Sequence, residues 1–255
     1  EVISVLPPIY GQIFGSDREN KINASFNGTH GDTEFVDEYG NHFRAYGSGW
    51  QISNINQYSG MNTLRCNSIA TGNRWECTPA NLDNRSLDQW TIECFYRLDS
   101  FATPQTIFHA IPLNNSGAGA MRLIFNTSGQ PILYLSTDEN SYSAMNGVNT
   151  INMNAIATRS GFGDIAITNA GHTAAQWYHM AWVFDGLAHR IYMNGYLVMT
   201  YSSIENSQVF VSVKPGKFNK FILGAEYSTS SANQLIGNIS NFAFHPYAKY
   251  QTKKY

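Results

Sequence analysis

Two runs decide the fold: Trp177-Tyr178-His179-Met180-Ala181-Trp182-Val183-Phe184-Asp185-Gly186 and, after Leu187-Ala188, His189-Arg190-Ile191-Tyr192-Met193-Asn194-Gly195-Tyr196-Leu197-Val198-Met199-Thr200-Tyr201. Successive side chains of a strand point to opposite faces. Bulky Met180, Trp182 and Phe184 therefore face inward and turn His179 outward, while inward Ile191 and Met193 turn Arg190 and Tyr192 outward. Asn194-Gly195 between two strands is a type I′ hairpin signal, because both turn positions need positive φ. Outward from this hairpin, short aromatic and β-branched runs recur between Gly, Asn, Ser and Asp, the punctuation of antiparallel β structure. Strands are expected at 62–68, 74–78, 90–98, 106–111, 121–126, 132–136, 177–184, 189–193, 196–201, 220–224 and 237–245, with no long helix. In 90–97, inward Ile92, Cys94 and Tyr96 turn Glu93, Phe95 and Arg97 outward. Residues 140–173 weaken into Asn, Ala, Thr and Gly and are expected to form a long surface stretch of the kind that carries specificity.

A chain of 255 residues with 43% hydrophobic and only 13% charged residues must bury a core, whereas an average soluble domain carries roughly 25% charged residues. The net charge of −2 and scattered Lys and Arg, apart from Lys253-Lys254, give no field to hold a phosphate backbone, so no nucleic-acid partner is expected. No apolar run approaches the roughly 18–20 residues of a membrane-spanning helix, and no membrane insertion is expected. The opening lacks a basic n-region, a continuous h-region and an initiator Met, as in a processed product or an excerpt. Three cysteines do not all pair within one chain. A two-residue hairpin at Thr71-Gly72 would set Cys66 opposite Cys77; two small residues in a half-buried hairpin are the preferred reading over a disulfide, and Cys94 belongs in the core. There is no H-E-x-x-H, G-x-S-x-G, P-loop or C-x-x-C, so no cofactor is expected. The seven His residues are dispersed and fit surface or hydrogen-bonded core roles. Val2-Ile3-Ser4-Val5-Leu6-Pro7-Pro8 reads as an extended apolar arm that wraps this domain or docks on another chain. Tyr and Lys interleave from Tyr247 to Tyr255, which reads as a frayed tail or a second contact element.

Five segments in order resemble a known family. They are Phe26-Asn27-Gly28-Thr29-His30-Gly31-Asp32-Thr33-Glu34-Phe35-Val36-Asp37-Glu38-Tyr39-Gly40-Asn41, Trp90-Thr91-Ile92-Glu93-Cys94-Phe95-Tyr96-Arg97, the 177–186 run, Ile191-Tyr192-Met193-Asn194-Gly195, and Gly237-Asn238-Ile239-Ser240-Asn241-Phe242-Ala243-Phe244. Together they are similar to the concanavalin A-like lectin/glucanase superfamily in its laminin-G-like jelly-roll form, which phage and bacterial structural proteins often carry. The resemblance implies an all-β, two-sheet antiparallel jelly-roll sandwich over residues 22–250, one sheet concave, with the first and last strands neighbours; residues 1–21 are the arm and 251–255 a tail.

Function has to come from the site, since this fold hosts lectins, adhesion domains, hydrolases and structural modules. The family's hydrolases carry two carboxylates on one strand as E-x-D-x-x-E; no such run exists here, and Glu34, Asp37, Glu38 and Asp138-Glu139 have the wrong placement. No catalysis is expected. The position that resembles the family's calcium-binding Asp is Asn241, and Asn27 stands where relatives often have Asp, so no metal is expected. Stacking faces and planar polar groups are what sugars need. If the strands share the concave sheet that the resemblance implies, Phe95, Arg97, His179, Arg190 and Tyr192 form one carbohydrate-binding patch, unless a loop or neighbouring subunit covers it. The expected function is a non-catalytic lectin-like module on a phage or virus particle, or extracellular at a cell surface, that attaches to cell-surface polysaccharide. The alternatives are a capsid or tail decoration protein anchored to other virion proteins through its arm, and an atypical glycoside hydrolase. A homo-oligomer or a place in an assembly is expected. Deleting residues 1–20 separates the first two readings: an autonomous lectin keeps its binding, whereas a decoration protein loses its assembly by light scattering.

Overall fold

The computed structural model of the chain describes residues 22–79, 89–112, 121–129, 131–135, 150–152, 173–186, 188–202, 218–226 and 231–250. Its strands are β1 (Ile22–Ala24), β2 (Glu34–Val36), β3 (His42–Tyr46), β4 (Trp50–Tyr58), β5 (Met61–Cys66), β6 (Arg74–Thr78), β7 (Trp90–Leu98), β8 (Gln105–Pro112), β9 (Met121–Phe125), β10 (Pro131–Leu135), β11 (Thr150–Asn152), β12 (Trp177–Phe184), β13 (Ala188–Met193), β14 (Tyr196–Ser202), β15 (Phe218–Leu223) and β16 (Gly237–His245). Among the described residues there is no helix. One sheet runs β14-β13-β12-β7-β16-β5-β4 with β1 beside β16, and the other runs β11-β10-β9-β8-β15-β6-β3-β2.

Every expected strand is present, and β6, β7, β12 and β16 fall on their expected bounds. Expectation missed β1 to β4, which are short or rich in Asn, Gln and Ser, and the three-residue β11 inside the supposed surface stretch. The rest of that stretch up to residue 172, the arm at 1–21 and the tail at 251–255 lie outside the described residues. Asn194 and Gly195 adopt φ of 48° and 83°, as the type I′ reading requires.

The Thr71-Gly72 hairpin does not form. β5 pairs with β4 and β16 in the first sheet, whereas β6 pairs with β3 and β15 in the second, so the chain crosses between sheets at that turn. Cys66 and Cys77 therefore lie in different sheets, and all three cysteines are buried free thiols. Turn-forming residues mark a reversal without saying which sheet the chain enters next.

Four of the five Trp residues fill the space between the sheets, with Phe26, Phe43, Phe108, Phe125, Phe221, Phe242 and Phe244; Trp177 stands half-buried on the outer face. Trp182 Nε1 donates to Nδ1 of buried His189 at 3.1 Å, and burial lowers that imidazole to about 3, keeping it neutral. β16 carries β5 along its first half and β1 along its second, the change falling at a bulge where Asn241 adopts φ 49°. Gly237 begins this strand because a Cβ there would lie 2.0 Å from the Arg97 carbonyl oxygen.

The motif residue Asp37 stitches the sandwich shut. Its Oδ1 accepts the N–H groups of Tyr39 (3.0 Å) and Asn41 (2.8 Å), and its Oδ2 accepts the Asn41 amide and the N–H of Asn23 in β1, both at 2.8 Å. One buried carboxylate thus closes the β2–β3 turn and ties it to the other sheet. Asp37→Ala strands these donors and is expected to lower unfolding free energy by about 3 kcal/mol, read by urea titration; a change below about 0.5 kcal/mol contradicts this role.

Candidate functional site

The outer face of the first sheet carries the site. β7 lies between β12 and β16, with Glu93 opposite Ala181 on one side and Ala243 on the other. Alanines on both flanks leave room above the strand, so longer side chains from neighbouring positions reach over to Glu93. His179 Nε2 lies 3.3 Å from Oε2, and His245 Nε2 lies 2.8 Å from Oε1. Tyr250 donates its hydroxyl to Oε2 at 2.6 Å, and the Lys249 ammonium binds Oε1. The donors come from β12, the end of β16 and the segment that follows it.

That segment, residues 246–250, lies as a strap across the outer face. Thr91 Oγ1 donates to the Tyr247 carbonyl and accepts the Lys249 N–H, each at 2.9 Å, so one side chain does the work of a missing strand. Ala248 and Tyr250 pack on Ala181, Val183 and Tyr192, with Leu197 at the margin. The reading of this segment as a frayed tail fails for Tyr247 to Tyr250, which make these contacts.

Burial alone would raise the Glu93 carboxyl. Hydrogen bonds from His179, His245, Lys249 and Tyr250 outweigh it and hold the group well below the ordinary carboxylate range. An ionised carboxylate only accepts, so both imidazoles present Nε2–H to it, and the four donors match its lone-pair sites. Burial, then the hydrogen bond to Glu93, pushes the Tyr250 hydroxyl well above its ordinary value. Glu93 and two His are residue types that bind zinc, but here both Nε2 atoms donate to the carboxylate and an ammonium stands beside it; among the described residues no group of three His, Cys, Asp or Glu is placed to hold a metal. Asn241 lines the cavity described below, and Asn27 accepts the Asn62 N–H at 3.3 Å, so these two amides serve different places.

Between the strap and β1 the face opens into a cavity of 780 Å³. Glu93, His179, His245 and Lys249 form its polar part, Phe95, Tyr39, Tyr247 and Tyr250 its aromatic part, and Asn23 and Asn241 stand at its β1 side. Phe95 is set between Tyr58, stacked at 4.2 Å, and His179 at 4.8 Å; Trp177 meets Tyr58 at 5.2 Å. The hairpin turn that revealed the fold also fixes His179, whose backbone N–H is accepted by Asn194 Oδ1 at 2.8 Å.

All five side chains expected to form a patch point outward from β7, β12 and β13 of one sheet, but the structure divides them. Phe95 and His179 line the cavity. Arg97 donates to the Ala175 carbonyl and pairs with Asp99, which also holds Arg65. Arg190 pairs with Asp185 at the β12–β13 turn, and Tyr192 lies beneath Tyr250 with ring centroids 5.6 Å apart. The cover over Tyr192 is the chain's own strap. Sequence reasoning turned Glu93 outward but did not single it out; its signal is an acid in the middle of an apolar strand. His245, Lys249 and Tyr250 gave no signal of convergence because only the turn after β16 brings them back.

Two antiparallel sheets packed on an aromatic core, with the first and last strands paired, define a lectin-like jelly-roll sandwich. The chain belongs to the concanavalin A-like lectin/glucanases superfamily, whose family model matches residues 70–252; the Phe26 to Asn41 motif lies before that match. No curated protein matches the sequence. Among solved structures, the botulinum neurotoxin serotype D binding domain is similar with a TM-score of 0.57 at 14% identity, over 92% of this chain and 50% of that one. Botulinum neurotoxin type C, whose cell entry depends on interaction with two ganglioside molecules, gives 0.58 at 14% identity over 91% of this chain and 49% of that one. A Trypanosoma rangeli sialidase gives 0.57 at 12% identity, over 97% of this chain and 34% of that one. The chain spans half or less of each, and at these identities the likeness is one of fold, shared by binding domains and sialidases alike.

Glu93→Gln is expected to lower stability at neutral pH by about 3 kcal/mol, because three cationic or ionisable donors lose their charge partner. A carboxyl whose folded pKa is depressed stabilises fully above its unfolded value and loses that contribution as pH falls below it. The gap between wild type and Glu93→Gln in urea titrations should therefore hold above about pH 5 and close toward about pH 2; a gap that widens on acidification contradicts the network.

Proposed function

We propose that the chain is a non-catalytic glycan-binding module, displayed at a surface, that attaches to cell-surface polysaccharide through the Glu93 cavity. The observation that carries this reading is the pairing of half-buried aromatic faces, Phe95 and Tyr250, with planar or cationic polar groups, His179, His245, Asn23 and Asn241, around one concave space. Aromatic faces stack on sugar C–H groups and fixed polar groups orient hydroxyls. The network on Glu93 holds His179 and His245 in place before any ligand arrives, so less ordering entropy opposes binding.

The same network disfavours hydrolysis. Glycosidases with two carboxylates need one of them as an acid with a raised pKa. Among the described residues lining the cavity Glu93 is the sole carboxylate, and it is held ionised. A tyrosine nucleophile is one alternative to the carboxylate pair, and Tyr250 on Glu93 has its outline. An adjacent general base would have to activate that hydroxyl, whereas Glu93 already accepts three other donors that hold it ionised and leave it a weak base.

Display on a virion, with the arm as anchor, is the form of surface display we favour; it rests on the resemblance of the motif set and on the low charge of the chain. Binding is tested by exposing the full chain to an array of glycans and bacterial polysaccharides. A specific hit is expected, with Phe95→Ala reducing its affinity about tenfold, equivalent to about 1.4 kcal/mol, while the thermal midpoint moves by only a few degrees. Binding unchanged in Phe95→Ala removes the cavity from consideration, and release of free sugar from a bound polysaccharide overturns the non-catalytic reading.

A further inference from the structure

The patch under the strap is made of the same materials as the cavity beside it. Ala181 and Val183 of β12 lie opposite Tyr192 and Arg190 of β13, all on the outer face, and Ala181 is the register partner of Glu93. The Tyr192 side chain is buried, and its hydroxyl has no hydrogen-bond partner among the described residues. Buried hydroxyls are paired in most proteins, and this one keeps hydrogen-bonding capacity that its described neighbours do not use. The Tyr250 ring lies over Tyr192, filling the space over an aromatic ring where a sugar would stack.

The strap's hold is also of a kind that yields. It enters no sheet ladder; it is kept by the two bonds through Thr91 Oγ1, by Lys249 and Tyr250 on Glu93, and by the small apolar seat of Ala248 and Tyr250. Half of Glu93's donors come from this strap, while His179 and His245 come from strands of the sheet and stay when it leaves.

We propose that residues 246–250 are a displaceable strap over a second glycan subsite formed by Ala181, Val183, Arg190 and Tyr192, so that the full ligand is an oligosaccharide whose first unit fills the Glu93 cavity and whose next units take the strap's place. The inference rests on the glycan-binding reading and adds ligand length to it. Lifting the strap bares a Tyr face, frees the Tyr192 hydroxyl to meet a sugar hydroxyl and joins the covered patch to the cavity along the Tyr192, Ala181 and Glu93 row. The closed strap occupies this extension and sets a threshold that short sugars do not cross.

The test uses the full chain and fragments of the polysaccharide that binds best on the array. Ala248→Asp sets a charge on the apolar seat and unseats the strap, while Phe95, His179 and His245 keep their places in the cavity. Monosaccharide and disaccharide affinities are expected to fall, because Tyr247, Lys249 and Tyr250 leave the cavity wall with the strap, while longer fragments bind about tenfold more tightly. Tyr192→Phe keeps the ring and removes the hydroxyl, and is expected to weaken only the longer fragments. Longer fragments that bind no better than disaccharide, or an Ala248→Asp variant that binds them equally or less well, overturn the proposal while leaving the cavity reading intact. If no fragment binds at all, the glycan reading fails first, and amide exchange then judges the strap alone: exchange at Lys249 much faster than in Trp90–Leu98 supports a displaceable segment, and equally slow exchange overturns it.

Discussion

A carboxylate taken out of water in the middle of a sheet is tolerated only when its charge is met, and the outer face of this protein is organised around meeting that of Glu93. Four donors do so, from β12, from the end of β16 and from the strap. The register makes this possible: Ala181 and Ala243 flank Glu93, and larger residues there would fill the space that the donors cross. Because each donor depends on the same two oxygens, the polar wall of the cavity behaves as one unit, and displacement of any member is felt by the rest.

The fold brings these parts together by a few backbone decisions. β7 sits between β12 and β16, so its outward side chains are reached from both sides. The bulge at Asn241 ends the pairing of β16 with β5 and begins that with β1, which places Asn23 and Asn241 at the edge of the same space. A second buried carboxylate, Asp37, binds mainly backbone N–H groups and holds β1 to the other sheet's β2–β3 turn. One acid therefore secures the frame and the other arranges side chains on it.

Much of the frame was legible because period-two alternation is a local property. The inward set Ile92, Cys94, Tyr96, Met180, Trp182, Ile191 and Met193 is buried as alternation requires, and the outward set shares one sheet. Local pattern does not say which sheet a strand joins, and so Cys66 and Cys77 were set opposite one another when they belong to different sheets. It was blind to convergence for the same reason. His245 and Lys249 are over 150 positions from Glu93, and their meeting depends on β16 lying next to β7. Outwardness alone suggested a single patch, whereas Asp99, Asp185 and Tyr250 each claim one of its members. Those partners were in plain sight in the sequence, but nothing there placed them within reach.

Under the proposed reading, ligand contact is confined to the outer face of the first sheet, around Glu93. Hydrogen–deuterium exchange of the full chain, with and without the saccharide it binds best, tests this most directly. Slowed exchange is predicted in Trp90–Leu98 and Trp177–Phe184, with the signal of residues 246–250 changing alongside them. Slowed exchange confined to strands of the other sheet, such as His42–Tyr46 and Arg74–Thr78, would contradict the account.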